Sequence, residues 1–134
     1  MRNLSTIRKC ALGFAALFLF VYLLDFVPGI MDKTNGKMFG LFGMTPLVDF
    51  GHLALGALAL ISGLAGSKIS RIYFCALAVW YAIDVVMYFT SHFDSMPLIK
   101  NVAINMPHTL ITIAAIWIAL KVDRTPTHAT AVAS

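Results

Sequence analysis

The chain contains no glutamate, and its six acidic residues are all aspartate. Charged residues fill only 12% of its 134 positions, against 60% that are hydrophobic. A soluble domain of this size needs a charged surface, and this chain has too little charge to build one. Cysteine is also scarce. Cys10 and Cys75 stand apart, outside any CxxC or His-rich spacing, and read as two free thiols within apolar surroundings. There is no Gly-rich phosphate loop, nucleophile elbow, EF-hand or zinc-finger spacing, so nothing points to a hydrolase or to an enzyme of another familiar kind.

What the chain does have is long apolar runs. Four of them approach the ~17–25 residues that a bilayer core demands: about 11–27, 46–64, 72–89 and 102–120. They are too long for strands and lack strict alternation. The first could pass for a secretory signal, with Arg2, Arg8 and Lys9 ahead of it. However, Asp25-Phe26-Val27-Pro28-Gly29 offers no small-x-small cleavage site, so it reads as a retained helix. The expected fold is an all-α membrane protein: a single four-transmembrane-helix bundle over residues 1–124, then a disordered cytoplasmic tail, 125–134.

The net charge of +4 does not mark a nucleic-acid binder, because the basic residues flank apolar runs instead of forming a patch. Arg2, Arg8, Lys9, Lys68, Arg71, Lys121 and Arg124 share one side of a four-span topology, and Lys33, Lys37 and Lys100 share the other. By the positive-inside rule both termini are cytoplasmic, which suits a multi-pass protein of a bacterial inner membrane. Its surroundings are then the lipid bilayer, with a homodimer or a larger membrane complex as the further partners to consider.

Spans one and three both carry Tyr-x-x-Asp, as Tyr22/Asp25 and Tyr81/Asp84. Spans two and four carry Asp-x-x-His and Asn-x-x-His, as Asp49/His52 and Asn105/His108. The chain reads as two similar helical hairpins related by a pseudo-twofold axis along the membrane normal. Steps of three and four from Asp49 reach His52, Gly56, Ala59 and Gly63, and from Asn105 reach His108, Thr112, Ala115 and Ala119. Each stripe occupies one helix face, polar at its outer end and small below, and small residues let membrane helices approach closely.

Counting at about 1.5 Å per residue puts Asp25, His52, Asp84 and His108 in one shallow layer near the external face, flanked by Asp49, Asn105, Tyr22 and Tyr81. Ionisable groups at membrane depth are costly unless they are paired or used. Four readings of the layer stay open. Its side chains can serve only as interhelical hydrogen bonds in a structural or accessory subunit. His52, His108, Asp84 and Asp25 can supply two nitrogens and two oxygens to a divalent transition metal. His52 and His108 can be the axial pair of a haem b. Or the layer can handle protons or a substrate, since imidazole titrates near neutral pH.

The stretches His52-Leu53-Ala54-Leu55-Gly56, Lys68–Tyr73 and Asn105–His108 resemble a family of small bacterial four-span membrane proteins known as a domain of unknown function. In that family two spans open with Asn-x-x-His, and the first runs on into a Gly-rich stretch, a short basic turn and a Tyr-containing span. The resemblance covers about 39–120. It departs at Asp49, which stands where the family has Asn, and at Pro107. It implies an architecture and no activity.

Overall fold

The computed structural model describes residues 3–124. The expected tail at 125–134, with Arg2 and His128, lies outside the described residues. The apolar runs form four helices: α1 (Thr6–Leu24), α2 (Pro46–Ala65), α3 (Ser67–Ser91) and α4 (Leu98–Lys121). All four are long and apolar enough to cross a membrane, and the protein is an all-α four-helix bundle of that kind. Helices suit this setting because each satisfies its own backbone groups without water.

The helix ends follow local chemistry. α1 stops at Leu24, short of the expected Val27, because the residue before Pro28 disfavours helical backbone. Phe26 N and Val27 N instead bond back to Leu23 O and Leu24 O in a tightened last turn. Thr45 caps α2, its hydroxyl accepting from Val48 N at 3.3 Å, with Pro46 in the first turn, where a missing N–H does no harm. Gly66 alone separates α2 from α3, at φ +147°, a conformation that a side chain would strain. The expected basic loop is therefore this one residue, and Lys68 and Arg71 lie on the first turns of α3.

Packing is most extensive within the pairs α1/α2 and α3/α4, and the two hairpins meet mainly through α3. Lipid is as apolar as leucine, so close fit holds such helices together. A β-carbon on Gly56 would stand 2.8 Å from Leu19 Cγ, and one on Gly63 would stand 2.9 Å from Leu12 and 3.1 Å from Arg8 O. The two glycines let α1 lie directly on α2. One core runs through all four helices, from Ile7, Ala11 and Phe18 through Ala59, Phe74 and Leu77 to Ala115 and Ala119. Bulky residues such as Phe20, Ile61, Trp80, Val86, Ile113 and Trp117 point outward as a lipid-facing surface.

Polar bonds lock the end that carries the two termini. Arg8 donates to Gly63 O and Leu64 O at 2.7 and 2.9 Å. Arg71 donates to Ala119 O and, at 2.8 Å, to Val122 O. Each guanidinium thus fills carbonyls that the end of a neighbouring helix leaves open. Asp123 accepts from Ile7 N at 2.6 Å, placing a carboxylate at the start of α1, where the helix dipole favours it.

At the opposite, loop end, the connection between α1 and α2 is not the plain loop expected. It forms a small antiparallel meander of β1 (Met31–Asp32), β2 (Lys37–Met38) and β3 (Phe42–Gly43). Asp32 accepts from Thr34 N at 2.9 Å and from the Thr34 hydroxyl, closing the first turn. Phe39 and Gly40, at φ +54° and +68°, make the second, closed by Leu41 N to Met38 O at 3.1 Å.

Candidate functional site

The interior face of each helix changes character along its length. Towards the terminal end it is buried: Ile7, Ala11, Ala15 and Phe18 on α1, Gly56, Ala59 and Gly63 on α2, Ala115 and Ala119 on α4. Towards the loop end the same faces continue, at steps of three and four, into Tyr22 and Asp25, into His52 and Asp49, into Asp84, and into His108. These six are half-buried. The bundle is tightly packed at one end and polar and more open at the other.

His108 Nδ1 lies 2.6 Å from Asp84 Oδ2, which joins α4 to α3. Their side chains are 38% and 46% exposed, so the pair is not sealed in the core. The Tyr81 ring, 4% exposed, stands edge-on to the His108 ring at 4.9 Å. Asn105 turns away from His108 and donates to Asn101 Oδ1 and O at 2.9 and 3.1 Å.

The first hairpin is arranged differently. The Asp25 and Asp49 carboxyl groups are neighbours. One oxygen of each, and His52 Nδ1, are buried without a hydrogen-bond partner. Tyr22 joins none of them and packs edge-on against Phe26 at 5.4 Å. An open cavity of about 610 Å³ lies beside Asp25, lined also by Phe26, Pro28, Met31, Asp32 and Lys33. The hydrogen bonds from Thr34 hold the Asp32 carboxyl below the usual aspartate range.

The two sets are linked by aromatic rings. His52 lies 6.2 Å from Phe18, Phe18 stacks on Tyr81 at 6.0 Å, and Tyr81 reaches His108. Among the described residues no three His, Cys, Asp or Glu side chains converge closely enough to hold a metal ion. His52, His108, Asp84 and Asp25 are therefore not one donor set but two half-sets with Phe18 and Tyr81 between them.

Asn101 was not among the residues expected here. It is fully buried, and its amide donates to Phe89 O at 3.0 Å on α3. The signal was present in the sequence, because Asn101 extends the Asn105–His108 face outward by one more step of four.

A scan against family models matches residues 8–121 to a domain of unknown function, DUF4383. The chain belongs to the DUF4383 family. Comparison with curated proteins and with solved structures returns no match. The DUF4383 match takes in all four helices apart from Thr6 and Ile7 at the start of α1, and with them every residue of the polar layer.

Proposed function

We propose that the loop end faces the outside of a bacterial inner membrane, with both termini in the cytoplasm, and that the polar layer is an acid–base site exchanging protons with the external medium. The His108–Asp84 pair carries this reading: an imidazole and a carboxylate 2.6 Å apart, half-open at the mouth of a membrane bundle whose other end is closed. Imidazole is the side chain whose ordinary titration falls near neutral pH, and ionisable pairs at this depth recur in proton relays. Asp25 and Asp49 support it too, since each holds a buried carboxyl oxygen without a hydrogen-bond partner at the same end of the bundle. Because the terminal half is sealed by packing, exchange is with one side only.

The two hairpins are read as an internal repeat about a pseudo-twofold axis. Supporting this are the matched Tyr/Asp and Asp-or-Asn/His pairs and the stronger packing within hairpins than between them. So does the way Arg8 and Arg71 each bind carbonyls at the end of the returning helix.

The test is a nitrogen-15 NMR titration of the histidines in lipid nanodiscs. The His108 ring signals should respond to the external pH, and Asp84→Asn should alter that response. An imidazole that stays in one protonation state throughout, in both chains, would remove the acid–base reading.

A further inference from the structure

Pro107 lies inside α4, one residue before the imidazole that bonds Asp84. Having no N–H, it leaves the Ala103 carbonyl without its helical donor, and its ring crowds that carbonyl, so α4 is mechanically weakest here. The two halves of α4 on either side of this point are held very differently. The half after Pro107 supplies Ala115, Ile118 and Ala119 to the hydrophobic core, whereas the arm before it, Leu98–Met106, buries Asn101 and Asn105 and supplies no apolar residue to that core.

What holds the arm is polar and sparse. Asn101 donates to Phe89 O, a carbonyl in the last turn of α3 that has no helical partner to lose. Asn105 bonds only within α4, to Asn101, and so stiffens the arm without fastening it to another helix. At the hinge itself, His108 meets Asp84. Asn101, Asn105 and His108 lie on the face that continues through Ala115 and Ala119 towards the bundle interior, so the arm carries its polar side inward, on the same face as the His108 end of the polar layer.

We infer that Leu98–Met106 is a lid hinged at Pro107, latched to α3 by the Asn101–Phe89 and His108–Asp84 bonds, and that its position sets how far water enters the polar layer. The inference rests on reading that layer as the functional site. It adds the element that controls access. The lid swings as a unit, because the arm is helical and internally bonded through Asn101 and Asn105, while the anchored half of α4 stays in place.

Distance measurements between spin labels on the full chain in nanodiscs test this, with Cys10 and Cys75 replaced by serine. One pair, at Ile99 and Leu47, spans the lid and the first hairpin; the other, at Leu17 and Trp117, reports on the anchored half. In the Asn101→Ala, Asp84→Ala double variant the Ile99–Leu47 distribution should broaden and shift, with the Leu17–Trp117 distribution unchanged. Adding Pro107→Ala, which restores the helical donor, should suppress the shift. An unchanged Ile99–Leu47 distribution, a shift of both pairs together, or a shift that Pro107→Ala leaves intact would each overturn the lid. The His108 titration, run on the same Pro107→Ala chain, keeps the two proposals apart. A static arm with a titrating imidazole ends the lid and leaves the acid–base site, and a moving arm with a silent imidazole does the reverse.

Discussion

Asp84 lies 2.6 Å from His108, whereas Asp25 and His52, at the sequence-matched positions of the first hairpin, share no bond. The residue three places before each histidine accounts for the difference. Asn105 is occupied by Asn101, which leaves His108 and Asp84 to each other. Asp49 stands where Asn105 does and is a carboxyl neighbouring Asp25 in place of an amide. One substitution in an otherwise matched pattern gives two hairpins with different polar chemistry.

The strength of the His108–Asp84 bond can be measured with a double-mutant cycle. Interhelical hydrogen bonds in membrane proteins are worth roughly 0.6 kcal/mol on average and reach about 1.7. The pair's partial exposure argues for the lower half of that range. His108→Ala and Asp84→Ala should show a coupling of about 1 kcal/mol by reversible unfolding in bicelles. A coupling indistinguishable from zero would mean that the two groups do not stabilise one another.

The glycine contacts between α1 and α2 predict a position-specific cost. Gly63→Ala meets a backbone oxygen, Arg8 O, as well as Leu12, and Gly56→Ala meets the Leu19 side chain. Each should lose about 1–3 kcal/mol of stability, as overpacked sites do, with Gly63→Ala the worse because backbone cannot step aside. Gly51→Ala, where a β-carbon meets nothing within 4 Å, is the control and should be close to neutral.

Arg71→Ala removes two bonds to the carbonyls at the end of α4. Hydrogen bonds from a charged donor are worth about 1.5–3 kcal/mol at most, and this site is only part-buried, so a loss of about 1–2 kcal/mol is expected. Thermal unfolding in detergent reads it. Arg71→Lys should recover only part of that loss, since an ammonium cannot span two carbonyls as a planar fork does.

Asp32 gives the meander a pH dependence with a definite sign. Its folded carboxyl titrates below the usual aspartate value, because the Thr34 hydroxyl and amide bind the charged form. A depressed value adds stability that is present above the ordinary carboxyl range and is lost as pH falls through the lowered one. Amide exchange at Thr34 and Gly36 should therefore quicken only in strong acid. Thr34→Ala should move that onset to higher pH, and an onset unaltered by Thr34→Ala would contradict the assignment.

The spans and the polar layer were legible because apolar run length and three- and four-residue spacing are properties of local sequence. The spacing put Asp25, His52, Asp84 and His108 at one height on their helices; in the structure all four are half-buried, and His108 bonds Asp84. Spacing carries no information on which neighbours pair, and so the separation of the layer by Phe18 and Tyr81 was not visible. Arg8 and Arg71 were legible as markers of orientation but not as binders of helix-end carbonyls, because those contacts cross 55 and 48 positions of the chain. The meander was not legible: its strands, Met31–Asp32, Lys37–Met38 and Phe42–Gly43, are two residues long and mix charged with apolar side chains, which leaves no periodicity to read.

The measurement closest to the central claim is labelling of single cysteines from outside intact cells. The chain would lack Cys10 and Cys75 and carry one cysteine in turn at position 25, 52, 84 or 108, each probed with a membrane-impermeant maleimide. All four should react from the outside, while cysteines replacing the fully buried Ala59 and Ala115 should not. Reaction at the four sites only after the cells are opened, or equal reaction at all six, would show that the layer is not an outward-facing mouth above a sealed core.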